Sequence, residues 1–385
     1  MGGCGRPGGE WLEDLQIMNS GIQATDLPVV TCAGSPGKRG EQHGEALRGM
    51  ITEGLARWAE SISSTHGVDP DAYIAGFVHG TEFLPPIQRW TPELLDEIEG
   101  IARGSAQPWQ GIYAYNLLDE EWTWARDQKS GIAPGCTVAG FAPEGGATLL
   151  AQTMDIPNIH DGTQAVLRLE PEDTPAALIF THAGMIALTG CNEEGLAVVV
   201  NNLDMLPASR SGLPVACAIR GILAQRTLAD AIDFISGVPH ATGQHYGIAA
   251  PEGLSSVEGW ATAVAAGPES GTRLLHTNHP RYTDETVGDV ESRYQRSRTR
   301  ERLDYLEREA GPSRDVLGLQ ELLSDCTVPV SLGAERPSMT FGAVVYECTV
   351  PARMWVTPGP PHVHAFRQVA WSSTREPVEL GASPR

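Results

Sequence analysis

Gly135-Cys136-Thr137 is the stretch whose residue types and order can support covalent chemistry without a cofactor. A thiol placed directly after a glycine carbonyl can attack that carbonyl and move the acyl group from nitrogen to sulfur; water then hydrolyses the thioester and leaves the cysteine at a new N-terminus. Glycine tolerates the bent backbone such an attack requires. The freed residue would carry nucleophile and base together, because an α-amino group with a pKa of ~7.7–8.0 can take a thiol proton near neutrality. The competing reading of the residues alone is a buried cysteine after a turn glycine, acting as a small hydrophobe. The other cysteines, Cys4, Cys32, Cys191, Cys217, Cys326 and Cys348, bring the total to an odd seven with no C-x-x-C pair. That spacing disfavours a disulfide framework and a cysteine-rich zinc site.

Histidines offer a different chemistry. His276-x-x-His279 and His362-x-His364, with His160, His182, His240 and His245 scattered elsewhere, suggest a zinc hydrolase as an alternative. Two histidines three apart can share a helix face, but Arg273 to His276 reads as a strand end and no H-E-x-x-H motif is present.

The elements that must position Cys136 change character along the chain. After a Gly-rich leader, Gly40 to Ser63 has the apolar spacing of an amphipathic helix (Leu47, Met50, Ile51, Leu55, Trp58). A second helix is expected over Asp71 to Phe83, and Thr91-Pro92 opens a third with Thr91 as N-cap. From about Gly131 the pattern turns to short β-prone runs: Thr137–Phe141, Thr148–Met154, Ala165–Leu169, Ala177–Thr181 and Leu196–Asn201. Helices are expected at Pro214–Leu223 and Leu228–Ile235, and strands at Tyr246–Ala250 and Arg273–His276. A long charged surface helix with ion-pair ladders is expected over Asp289–Glu309. Strands at Thr340–Thr349 and Met354–Val356 precede a Pro-rich tail. Without regular βαβ alternation, this order implies layered α+β with antiparallel sheets. Cys136 falls at the junction of the helical and strand-rich parts.

Composition narrows the partners. The formal charge is -21, from 48 acidic and 27 basic residues, so a nucleic-acid backbone or an anionic membrane surface is a poor match. Hydrophobic residues at 41% and charged residues at 19% are the balance of a folded globular chain. Met1 to Ser20 lacks the basic and apolar regions of a secretion signal, no run is long enough to span a membrane, and a cytoplasmic location is expected. No phosphate-binding glycine motif is present.

Taken together, Gly34-Ser35-Pro36 with Arg39-Gly40-Glu41-Gln42-His43-Gly44, Glu97 to Gly104, Asn116 to Trp122, Gly135-Cys136-Thr137, Gln152-Thr153-Met154-Asp155, Gly190 to Asn202, His276-Thr277-Asn278-His279 and Gly359-Pro360-Pro361 occur in a familiar order. Over about Leu27 to Trp371 the chain resembles the isopenicillin N acyltransferase-like proteins, autoprocessed cysteine members of the N-terminal nucleophile hydrolases. The resemblance implies a four-layer αββα sandwich and a precursor cut between Gly135 and Cys136. Its implied parts are a poorly ordered leader (1–26), a mainly helical α segment (27–135) and a β segment bearing the catalytic sandwich (136–385), the two segments staying associated after the cut. It further implies Cys136 as nucleophile, Asp155 as the carboxylate orienting the new amine, and Asn278 as side-chain donor of the oxyanion hole. The substrate would be a small-molecule amide or acyl thioester, with water or an amine as acceptor and no cofactor or metal.

Asn202, and less so Asn192, are further amide candidates, although Asn also favours turns. Asp155 has a hairpin-turn alternative. The family's Ser-Arg pair before the strand near Thr340 is scrambled here to Glu335-Arg336-Pro337-Ser338-Met339, which leaves Arg336 as a weaker substrate contact, and Thr153-Met154 replaces the usual Asn-Trp. A non-catalytic, uncut binding protein is the remaining alternative; the joint presence of Gly135, Cys136, Asp155 and Asn278 speaks against it.

Overall fold

A computed structural model describes residues 27–126, 135–267, 271–326, 330–333 and 336–371. The leader, Ala133-Pro134, Glu335 and the Pro-rich tail lie outside these residues.

The chain begins with strand β1 (Val29–Ala33) and then α1 (Pro36–Ala46), α2 (Arg48–His66), α3 (Pro70–His79), α4 (Leu84–Trp90), α5 (Glu93–Ser105), α6 (Trp109–Tyr115) and α7 (Leu118–Arg126). The amphipathic stretch expected over Gly40 to Ser63 is two helices, broken at Leu47, whose φ of -111° and ψ of 17° leave the helical region. The expected Asp71–Phe83 helix ends at His79. Thr91 makes no capping bond to α5, whose N-cap is Pro92. Gly40 and Gly44 of α1 face Gly100 and Gly104 of α5 so closely that a Cβ on Gly40 would lie 1.9 Å from the Glu97 carbonyl oxygen, and one on Gly104 would lie 2.1 Å from that of Glu41. Backbones this close admit only glycine, which explains the spacing of both motifs.

After the undescribed stretch come β2 (Gly135–Phe141), β3 (Leu149–Pro157), β4 (Gln164–Glu170), β5 (Ala177–His182), β6 (Thr189–Asn192) and β7 (Ala197–Asn202). Then follow α8 (Val215–Leu223), α9 (Leu228–Gly237), β8 (Gln244–Ala250), β9 (Gly253–Trp260), β10 (Ala263–Ala266), β11 (Arg273–His276), α10 (Val290–Ser297), α11 (Thr299–Glu309), α12 (Val316–Leu323), β12 (Ser338–Glu347), β13 (Arg353–Val356) and β14 (Arg367–Val369).

Among the described residues these strands form two sheets, one ordered β1-β4-β5-β6-β7-β8-β9-β10 and the other β11-β2-β3-β12-β13-β14. All pairings are antiparallel except β1 with β4. The sheets face each other: Gln152 of β3 donates to the Val200 carbonyl of β7, Gln164 of β4 donates to the Phe341 carbonyl of β12 at 3.1 Å, and the Phe180 and Phe341 rings lie 5.5 Å apart. Helices α8 and α9 cover the first sheet, and α11 and α12 cover the second. The architecture is thus α+β, a four-layer αββα sandwich. Strands β2 and β3 are buried along their whole length, as expected for central strands covered on both faces.

Two further corrections concern the elements. Strand β1 was not apparent in the sequence, being short and paired with a strand more than a hundred residues later. The expected surface helix over Asp289–Glu309 is two helices, broken at Arg298, a non-glycine residue with a φ of 51°. Its second half is not a surface ladder: Thr299, Arg302, Leu303, Tyr305 and Leu306 are buried against the second sheet. No helix among the described residues is long and apolar enough to cross a membrane.

Candidate active site

Cys136 is the second residue of β2, between β11 on one side and β3 on the other, where Gly135 pairs with Asp155 and Cys136 with Met154. With the chain continuous through Gly135 and Cys136, the Cys136 nitrogen is an amide. It donates to Asn278 Oδ1 at 2.6 Å. Asn278 follows directly on β11, held by its own N–H to Thr299 Oγ1 at 2.7 Å, and its Nδ2 donates to the Asn202 carbonyl at 3.0 Å. The sequence thus brings Cys136 and Asn278 together. Asn278 accepts a hydrogen bond from the Cys136 N–H, and because the peptide is trans the Gly135 carbonyl points the opposite way.

Asp155 lies on the other side of the same bond. A Cβ on Gly135 would sit 2.8 Å from Asp155 Oδ2 and 3.5 Å from an Arg302 nitrogen, so a larger residue before Cys136 would have to displace the Asp155 carboxyl. The other carboxyl oxygen, Oδ1, accepts from Thr340 Oγ1 at 2.6 Å. Burial pushes the Asp155 carboxyl up to about 7, against the pull of Arg302 and Thr340. Burial, and then the negative charge of Asp155, push the Cys136 thiol up to about 12. The thiol in the intact chain is therefore protonated at neutral pH, and its neighbour is a carboxyl poised to exchange a proton there.

Sequence reasoning missed Arg302. Its guanidinium, 1% exposed, donates to the Cys136 carbonyl at 2.6 Å, to Thr137 Oγ1 at 3.0 Å and to Asn278 Oδ1 at 2.8 Å. One rigid fork thereby fixes the nucleophile strand and the amide beside it. Burial lowers the Arg302 pKa. The available signal was the spacing of Thr299, Arg302, Leu303 and Leu306, a buried helical stripe hidden among Glu and Arg. Asn201 was missed too: its Nδ2 donates to the Cys136 carbonyl at 3.0 Å, and its Oδ1 meets His245 Nδ1 at 2.7 Å.

The remaining candidates divide. Asn202 lines a cavity with Cys136 and Asp155, closed over by Leu118, Asp119 and Trp122 of α7, with a volume of only ≈ 30 Å³. Arg336 lines a separate and more open cleft of ≈ 340 Å³ against Gly135 and Asp155, together with Arg296 and Arg298. Asn192 lies away from this site; it ties β6 to the end of α8 by donating to the Leu223 and Gln225 carbonyls at 3.0 and 2.8 Å. The histidines of the zinc alternative do not converge. His276 is bonded to Glu258 at 2.8 Å and stacked on His245, His279 turns to Thr299 Oγ1 at 2.9 Å, and His362 bonds Ser331 at 2.6 Å. Among the described residues no group of three or more His, Cys, Asp or Glu side chains is arranged to hold a metal ion.

A buried cysteine opening a central strand of a two-sheet sandwich, with an amide at its peptide nitrogen and a carboxyl against the preceding glycine, defines a candidate nucleophile site. The chain belongs to the acyl-coenzyme A:6-aminopenicillanic acid acyl-transferase family, whose model matches residues 143–351. That span contains Asp155, Asn202, Asn278, Arg302 and Arg336, while Gly135-Cys136 lies just before it. A curated relative, the acyl-coenzyme A:6-aminopenicillanic-acid-acyltransferase 40 kDa form of Emericella nidulans, is 28% identical over 214 residues, covering 54% of this chain and 56% of its own length. The match therefore spans little more than half of that relative. Among solved structures, penicillin V acylase from Agrobacterium tumefaciens has 14% identity and a TM-score of 0.36, covering 58% of this chain and 83% of its own. A conjugated bile acid hydrolase from Clostridium perfringens has 14% identity and a TM-score of 0.40, covering 58% and 89%.

Proposed function

We propose that this chain is a self-processing cysteine amidohydrolase or acyltransferase that cuts itself between Gly135 and Cys136 and then carries acyl groups on Cys136. The observation that carries this reading is the fit around the scissile bond: Asn278 Oδ1 lies 2.6 Å from its nitrogen, and Asp155 Oδ2 packs closely against Gly135, where a side chain would push the carboxyl aside. Membership of an acyltransferase family supports it.

In the self-cutting step, Asp155 as carboxylate takes the thiol proton and Sγ attacks the Gly135 carbonyl carbon. The C–N bond breaks as the C–S bond persists, and the proton passes to the Cys136 nitrogen, which Asn278 Oδ1 already holds. Water then hydrolyses the thioester, leaving a Gly135 carboxylate, a free thiol and an α-amine. In turnover that amine replaces Asp155 as base, with Asp155 and Asn278 Oδ1 orienting it. The second N–H of Asn278 Nδ2, with a backbone N–H, is assigned to the developing oxyanion. The leaving amine takes its proton from the Cys136 ammonium, and water or an amine collects the acyl group. No step calls for a cofactor.

The two pieces would stay associated, since β1 is hydrogen-bonded to β4, Glu97 pairs with Arg220, and Asn116 bonds Gly184 and Ile186 across the cut. The test is the intact mass of purified protein under denaturing conditions. Self-cutting gives fragments of ~14 and ~27 kDa, the larger beginning at Cys136. A single 41.2 kDa species after prolonged incubation of folded protein would instead support an uncut binding protein.

A further inference from the structure

The enclosed cavity beside Cys136 has a polarity that the proposed chemistry does not use. Asp119 Oδ1 accepts from Asn202 Nδ2 at 2.8 Å and from Gln244 Nε2 at 3.0 Å, and Gln244 Nε2 also reaches Thr242 Oγ1 at 3.2 Å. A carboxylate only accepts, so both amides must turn their NH₂ groups towards Asp119. Their carbonyl oxygens, Asn202 Oδ1 and Gln244 Oε1, are thereby fixed on the other side, and neither accepts from any donor among the described residues. Both residues are buried, 7% and 1% exposed, and both line the cavity that contains Cys136. A buried acceptor left without a donor is costly. Two of them on one cavity describe a site for N–H donors. Asp119 stands behind both amides and polarises their oxygens towards a donor, and no Lys or Arg among the described residues lines the cavity.

Size and direction narrow the ligand. The cavity is ≈ 30 Å³, where one water needs about 10–15 Å³, so it accepts only a small group. With the scissile carbonyl on Sγ, such a group has to branch from the atom next to that carbonyl. The amine half of the substrate must leave towards the Cys136 nitrogen that protonates it, and Gly135, the residue on that side, lines the ≈ 340 Å³ cleft together with Asp155. The enclosed side therefore receives the acyl half. We infer that the acyl donor is an α-amino acyl amide, its ammonium group held by Asn202 Oδ1 and Gln244 Oε1. This rests on Cys136 being the nucleophile and adds the substrate class.

The experiment compares alanine p-nitroanilide with isobutyryl p-nitroanilide, which places a methyl where the first has its ammonium, on self-processed full-length protein. The expected result is a kcat/KM at least a hundredfold higher for the alanine compound, as for sites built to hydrogen-bond a substrate group. Asn202→Leu and Gln244→Leu should each shrink that ratio tenfold or more, and Gln244→Met serves if the leucine variant does not fold. A role confined to structure would lower both rates together and leave the ratio intact, which overturns the inference. So does a cut wild-type chain that turns over both compounds equally or neither. A chain that remains at 41.2 kDa removes the nucleophile reading itself and the inference with it.

Discussion

Two buried arginine–carboxylate clusters sit in this molecule, and they are built to opposite rules. In the first, Glu97 of α5 is bonded by Arg39 of α1 at 2.9 Å and by both terminal nitrogens of Arg220 of α8, at 2.5 and 3.0 Å. Burial alone would raise its carboxyl, yet Arg220 and Arg39 together hold it below the usual range. In the second, Arg302 points its N–H groups at the Cys136 carbonyl, Thr137 and Asn278, so Asp155 has its charge nearby but, among the described residues, only Thr340 as side-chain donor. The Asp155 carboxyl consequently stays near 7. A carboxylate answered by three guanidinium N–H groups fastens α1, α5 and α8 together; one left underpaired beside a thiol can move a proton.

The sharpest way to break this comparison is to remove the thiol. Cys136→Ala should abolish both self-cutting and turnover while the chain still folds around the Arg39–Glu97–Arg220 cluster; intact mass and a melting curve read the two outcomes. A cut or active Cys136→Ala protein would remove the mechanism. Next in size is Arg302→Lys. An ammonium cannot span the Cys136 carbonyl and Asn278 Oδ1 as the planar fork does. Self-cutting should slow about 10²-fold by time-resolved mass, in the range seen when a preorganised donor is lost.

The same carboxylate-to-amide change should then have opposite effects on stability in the two clusters. Glu97→Gln leaves two buried guanidiniums without their counter-charge and should cost about 3–5 kcal/mol, lowering Tm across the pH range. Asp155 differs in sign. Its folded pKa is raised above the unfolded value, so its contribution is full below the unfolded value and is lost as pH rises through about 7. Asp155→Asn removes a charge the fold holds poorly. Its Tm should match the uncut Cys136→Ala chain near pH 4 and exceed it by a few degrees at pH 8. A lower Tm at pH 8 would mean that Arg302 pairs with Asp155 as firmly as Arg220 does with Glu97.

Much of this organisation was legible before any coordinates, for reasons that differ by residue. Central strands β2, β3, β4, β5, β7 and β12 announce themselves because strands covered on both faces are continuous apolar runs bounded by turn residues. The fixed order of motifs brought Cys136, Asp155 and Asn278 into view, and the structure sets all three around one peptide bond. Arg39-Gly40 and Gly104 also had a physical cause, close backbone contact between α1 and α5 and the pairing of Arg39 with Glu97. Arg302 was illegible because a buried arginine within a Glu- and Arg-rich helix looks like any solvated charge, and only the break at Arg298 turns that face inward. Asn201 was hidden by alternation: Asn201 and Asn202 point to opposite sides of β7, one to the Cys136 carbonyl and the other to the enclosed cavity. Strand β1 was hidden by length and by a partner distant in sequence.

The smallest expected effect tests whether Asp155 is the base of self-cutting. If it is, the rate rises with pH through about 7, as the carboxyl becomes a carboxylate. The Thr340 hydroxyl donates to Oδ1 at 2.6 Å and stabilises the charged form. It is itself held by the Leu332 N–H at 2.7 Å, so the hydroxyl has no freedom to turn elsewhere. Thr340→Val keeps the shape of the side chain and deletes that donor. A hydrogen bond to a charged group is worth about 1.5–3 kcal/mol, so the midpoint of the cutting rate should move up by about 1 pH unit or more while the plateau rate at high pH changes little. A stopped-flow series resolved by mass against pH gives both quantities. A lowered plateau with an unmoved midpoint would assign Thr340 to holding β12 against β3, and would transfer the role of base from Asp155 to another group.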